Sequence, residues 1–174
     1  MKKILITFTL LLLSLILFIK IGFKNQSTQS SCVFCQESVL EVQTIYATDR
    51  AAVIQTHKPV VDGHVLIIPK RHVERFEELT LEEIGEMQEA IKRVDRAEKN
   101  LYGNPAYLLL QKNGTDAGQS VPHVHFHYLP RQANESHVLF ALRMFLADLA
   151  NPITREQMEE SVISLRSEID RTVY

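Results

Sequence analysis

The sequence predicts an α+β domain: a mainly antiparallel sheet of about five strands, one long helix, and a helical extension at the C-terminus. Short runs rich in aliphatic and β-branched residues, separated by turn signals, recur between Val39 and Leu129. One long stretch sets Leu81, Ile84, Met87, Ile91, Val94 and Leu101 at helical spacing. After Pro130-Arg131 the pattern turns helical again. With 174 residues, 45% hydrophobic and 23% charged, the composition is globular and can bury a core.

The N-terminal segment stands apart. Lys2 and Lys3 precede an apolar run from Ile4 to Ile19, interrupted only by Thr7, Thr9 and Ser14, with Lys20 and Lys24 after it. This is the pattern of a secretory signal or signal anchor. Residues 1–24 are read as a single retained anchor giving a membrane location, with export after signal cleavage as the alternative. The stretch "NQSTQSS" offers small residues but no clear A-x-A site, and the lysines flank the run almost equally, which leaves the membrane side open. Residues 25–31, polar and Ser-rich, form a tether.

The strands follow in order. "VLEVQTIYA" (39–47) and "AAVIQT" (51–56) are separated by Thr48, Asp49 and Arg50, and "HVLIIP" (64–69) follows the turn signal Asp62-Gly63. Thr80 with Glu83 makes a capping box for the long helix, which Gly103 ends. "AYLLLQ" (106–111) and "HVHFHYL" (123–129) are the last strands, joined by "KNGTDAGQS" (112–120). In the extension Val138, Leu139, Leu142, Phe145, Leu146 and Leu149 share a helical stripe, and Asn151-Pro152 breaks it. Thr154 with Gln157 caps a final helix whose Met158, Val162, Leu165 and Ile169 form a packing stripe.

The chemistry concentrates in "QSVPHVHFHYLP" (119–130), where His123, His125 and His127 alternate in a chain with seven His in total. Alternate residues of a strand share a face, so the imidazoles project together. Crowded, they discourage each other's protonation, and a neutral ring with a free lone pair suits attack on phosphorus or metal binding. In the loop before them, Gly114 and Gly118 permit backbone N–H groups to converge on an anion, and Ser120 adds a hydroxyl. A net charge of −2 with no basic stripe argues against a nucleic-acid partner but leaves small anions open. Cys32 and Cys35, the only cysteines, have three readings on their own: half a zinc site, a redox pair or a strained disulfide. His57 and His137 belong to no such cluster and are read as surface residues.

"GQSVPHVHFHYLP" resembles the signature of the histidine triad family, and "KPVVDGHVLIIPKRHVERFEEL" resembles its second diagnostic segment. The resemblance runs over residues 32–131 as a histidine triad domain and leaves 132–174 as the C-terminal extension. It implies a homodimeric nucleotide hydrolase acting at the α-phosphorus of a nucleoside phosphoramidate or dinucleoside polyphosphate. In that reading His125 is the nucleophile, His127 stabilises the leaving group, and His64 buttresses the triad. Gly118, Gln119 and Ser120 lie near the phosphate. Lys112 stands where family members commonly carry Asn or Gln, and Thr56 replaces the usual ribose contact. Uridylyltransferase relatives have Gln at the position of His127, so the third His points toward hydrolysis.

The resemblance also implies a structural zinc held by Cys32, Cys35, His72 and His123, with no organic cofactor. His123 is then a ligand rather than a catalyst. Two other readings use the same residues: a nucleotide-binding or interaction module with little turnover, and a metal-binding protein.

Overall fold

The computed structural model describes residues 32–103, 106–131 and 135–171. Its strands are β1 (Thr44–Ala47), β2 (Ala51–Gln55), β3 (Val65–Pro69), β4 (Tyr107–Gln111) and β5 (Phe126–Pro130). Its helices are α1 (Glu37–Gln43), α2 (Leu81–Tyr102), α3 (His137–Leu146) and α4 (Arg155–Arg171). The strands form one antiparallel sheet in the order β1-β2-β3-β5-β4, so β5 enters between β3 and β4.

The two faces of the sheet have different roles. Ala51 and Val53 of β2, Val65 and Ile67 of β3, and Tyr128 of β5 pack against Met87, Ala90 and Val94 of α2 and Met158, Val162 and Leu165 of α4. Each large aliphatic buried there stabilises the fold by roughly 1.5–3 kcal/mol. On the other face Ala52, Ile54, Leu66 and Ile68 pack against Cys32 and Phe34. His127 pairs with Leu66, so it shares this second face, opposite the one covered by α2 and α4.

α2 forms as expected. The Thr80 hydroxyl accepts from Glu83 N–H at 3.2 Å, the Glu83 carboxylate accepts from Thr80 N–H at 2.9 Å, and Gly103 ends the helix at φ 65°. Met158, Val162, Leu165 and Ile169 are buried, as their stripe predicts.

Four expectations are corrected. The strand expected over 39–47 begins only at Thr44, because residues 37–43 form α1, whose partly buried Leu40 and Val42 pack against two different clusters of the core; this tertiary packing, rather than the β preference of the two valines, goes with the observed helix. The strand expected over 123–129 begins at Phe126. The register that pairs Ile67 with Phe126 would next bring Val124 to Pro69, which has no N–H, and Val124 N–H bonds to the Val73 carbonyl at 2.6 Å instead. In α3 the buried residue is Phe140, under the Arg131 guanidinium, whereas the expected stripe of Val138, Leu139, Leu142, Phe145, Leu146 and Leu149 is exposed.

The fourth is the membrane location. Among the described residues no helix is long and apolar enough to cross a membrane, and the reading as a membrane protein with a single anchor is withdrawn. The segment 1–24, the tether 25–31 and the residues 172–174 lie outside the described residues.

Candidate active site

The histidines meet at the start of β5. His127 is carried by the strand itself, while His123 and His125 lie in the extended segment just before it. The carbonyl of His123 accepts a hydrogen bond from Nδ1 of His125 at 2.7 Å. The neutral ring of His125 therefore carries its proton on Nδ1 and a bare lone pair on Nε2.

His64, immediately before β3, completes a second chain of bonds. Val60 N–H donates to His64 Nδ1 at 3.1 Å, so the proton of neutral His64 sits on Nε2. That nitrogen lies 2.9 Å from Nδ1 of His127 and donates to it. His127 is left with its own proton on Nε2. The rings of His125 and His127 are 5.1 Å apart and nearly edge to face. One thus presents a lone pair and its neighbour an N–H.

Burial keeps these rings neutral. His64 is pushed down to about 4, first by burial and then by His125. His127 falls to about 3 through burial, then His125, His64 and Lys112. His125 is lowered by burial, against the bond to the His123 carbonyl, with the Lys112 charge adding to the shift.

His123 turns away from this pair. Its Nε2 donates to the Pro69 carbonyl at 2.9 Å, which leaves Nδ1 bare, 3.4 Å from Cys32 Sγ and 3.6 Å from Cys35 Sγ. Cys35 Sγ is also 3.4 Å from Nδ1 of His72. The four donor atoms all lie within 4.8 Å of one another. A tetrahedral zinc with bonds of about 2.3 Å to sulfur and 2.0 Å to nitrogen needs S-to-N separations near 3.5 Å, which these distances meet. The residues fit a structural zinc, and both cysteines are free thiols.

The glycine loop differs from its expectation. The N–H groups of Ala117, Gly118 and Gln119 bond back to the carbonyls of Gly114, Thr115 and Gly114, so they do not converge on an anion. The Gln119 carboxamide is engaged too, accepting from Gly114 N–H at 2.6 Å and donating to the Glu74 and His123 carbonyls. It holds the loop against the segment carrying His123. Ser120 is exposed. Lys112 lies across Gly118, its Nζ 3.4 Å from where a Cβ on that glycine would stand.

Three contributors escaped the sequence reading. Gln55 donates to the His64 carbonyl at 3.3 Å and holds its backbone. Val60 sets the His64 tautomer through a backbone N–H that no side-chain pattern reveals. Phe34, between the two cysteines, stands edge-on to both His123 and His125, at 5.8 and 5.4 Å; its position inside the Cys-x-x-Cys was the available signal. His57 and His137 are exposed, and Thr56 is buried.

The chain is similar to several known proteins. The chain is 37% identical over 90 residues to the asymmetrical bis(5'-nucleosyl)-tetraphosphatase of Schizosaccharomyces pombe, covering 52% of this chain and 50% of that protein, so it spans half the length of that relative. It is 33% identical over 107 residues to an adenosine 5'-monophosphoramidase of the same yeast, covering 60% of this chain and 77% of that one. A zinc-bound histidine triad family protein from Mycobacterium smegmatis shares the fold, with a TM-score of 0.64 at 24% identity over 84% of this chain and 98% of that one. The HIT domain family matches residues 37–134, more than half of the chain, and the chain belongs to that family.

Proposed function

We propose that this chain is a nucleotide hydrolase that works through a covalent nucleotidyl-histidine on His125. The observation that carries the reading is the pair of opposite tautomers: a bare Nε2 on His125 beside an N–H on His127. The Nε2 lone pair of His125 attacks the α-phosphorus and forms a P–N bond. The bond from phosphorus to the bridging atom breaks, and its electron pair leaves with that atom. The Nε2–H of His127 hydrogen-bonds to the departing atom as charge builds there. Water then attacks phosphorus, the P–N bond breaks, and the electron pair returns to Nε2 of His125. A nucleoside monophosphate and a proton are released.

Because Nδ1–H of His125 faces the His123 carbonyl, the positive charge of the nucleotidylated ring rests against an acceptor. His64 is a positioning residue, holding His127 through one bond. The substrates of this reading are nucleoside phosphoramidates or dinucleoside polyphosphates, supported by the likeness to a bis(5'-nucleosyl)-tetraphosphatase and an adenosine 5'-monophosphoramidase. Cys32, Cys35, His72 and His123 would hold zinc, which supplies no chemistry here and fastens the N-terminal segment to the histidine segment. A second copy of the chain is the expected partner. Tyr107, Leu108 and Leu109 of the edge strand β4 are exposed apolar residues suited to meet it.

The test is to incubate the protein with adenosine 5'-phosphoramidate or diadenosine tetraphosphate and look for acid-labile adenylyl-histidine. Label and turnover that vanish in His125→Ala support the reading. Binding of nucleotide without turnover or label favours a binding module instead.

A further inference from the structure

Lys112 follows the last residue of β4 and is half-buried. Its stem and ammonium run over Gly118, where φ is 82° and the missing side chain leaves the lysine room. Gly118 precedes Gln119, whose amide donates to the His123 carbonyl, so the ammonium lies beside the segment that carries the histidines. Among the described residues no carboxylate forms an ion pair with it. The other cation near this loop, Arg75, is paired with Glu77.

Several donors of the glycine loop are already engaged. The backbone N–H groups of Ala117, Gly118 and Gln119 are satisfied inside the turn, and the Gln119 amide is bonded to two carbonyls. An ammonium with no carboxylate partner, beside a turn whose 117–119 N–H groups are closed on themselves, is the positive charge best placed to hold an anion.

We propose that Lys112 determines specificity in this site: it holds the charge of an oxyanion leaving group, so the chain prefers nucleotides whose α-phosphate is linked to a further phosphate or sulfate. Nucleotides linked to a neutral amine are disfavoured. This rests on the hydrolase reading above. A phosphate-type leaving group departs with its electron pair as a stable anion and needs only a hydrogen bond from His127 and a counter-charge. An amine leaving group must also gain a proton, and the neutral His64–His127 pair has no cationic proton to give.

The experiment compares wild type with Lys112→Gln and Lys112→Met, after equal melting temperatures establish that both variants fold. The first readout is the ratio of kcat/KM for diadenosine tetraphosphate to that for adenosine 5'-phosphoramidate. The expected result is a ratio lowered about 10- to 100-fold in both variants, the effect of losing one charge-assisted contact. The second readout needs no turnover: affinities for AMP, ADP and ATP by calorimetry. Wild type should bind the longer phosphate chains more tightly, and the variants should lose that gradient by about tenfold. Adenosine 5'-phosphosulfate as a third substrate separates a sulfate from a phosphate preference. An unchanged ratio, or an unchanged affinity gradient, overturns the role of Lys112. A wild type that turns over neither substrate, or a His125→Ala variant as active as wild type, overturns the hydrolase reading, while the affinity gradient still decides Lys112.

Discussion

Nε2 of His64 lies 2.9 Å from Nδ1 of His127, and this contact decides which nitrogen of His127 carries a proton. The decision originates one residue cluster away, in the Val60 N–H that occupies the other nitrogen of His64.

Replacing His64 with Ala should therefore lower kcat on the order of 10²-fold with a smaller change in KM, because the ring of His127 becomes free to place its proton on either nitrogen. His64→Gln, whose amide N–H can donate to the same Nδ1, should recover part of the loss. Steady-state kinetics of both variants check this. A purely structural role would make the two variants equally poor and lower their melting temperatures together.

The buried histidines make the fold sensitive to acid. His64 and His127 stay neutral in the native state until about pH 4 and about pH 3, whereas an unfolded histidine binds its proton near 6.5. Below that value the unfolded chain takes up protons that the native chain refuses, so stability is full above about pH 7 and falls as pH drops. At pH 5 each ring should cost about 2 kcal/mol. Denaturant midpoints at pH 7.5 and 5.0 measure the slope, and His127→Gln should flatten it.

An opposite slope comes from Glu98. Its side chain is fully buried beneath Gly63, both carboxylate oxygens lack a hydrogen-bond partner among the described residues, and burial, followed by the charge of Asp62, raises it to about 8. The unfolded chain loses that proton near pH 4.5 and the native chain holds it to about 8, so this group lowers stability progressively as pH rises between the two. Glu98→Gln should be more stable than wild type at pH 8, on the order of 2 kcal/mol, with the difference closing toward pH 5. Thermal unfolding at both values tests it.

Much of this was legible in the sequence, for physical reasons that differ by residue. The capping box of Thr80 and Glu83 is a local motif, and its partners sit where the spacing puts them. The alternation of His123, His125 and His127 marked the candidate site, but the different orientations of these rings depend on Pro69, whose carbonyl binds His123, and on Val73, whose carbonyl turns Val124 out of the sheet. Those contacts join segments about 50 residues apart, beyond any local pattern. Phe140, rather than the predicted stripe, became the buried face of α3 because Val61 and Leu129 offer it a pocket. The glycine loop misled for a related reason: Gly114 and Gly118 do adopt positive φ, yet the turn they permit closes on its own N–H groups.

Removing the metal should separate architecture from chemistry. Zinc content near one per chain is expected, and Cys35→Ser or a strong chelator should abolish it. Melting should then fall by more than about 5 °C, since Phe34 and the N-terminal segment lose their tie to His123. A metal-free protein with unchanged melting would show that the four residues merely lie close together.

The bare Nε2 of His125 is tested most directly by trapping. Wild-type protein mixed with labelled diadenosine tetraphosphate and quenched in alkali should yield a peptide carrying one adenylyl group on His125, formed fast enough to account for turnover. Turnover accompanied by label on another residue, or by no label at any time in the first cycle, would contradict the account.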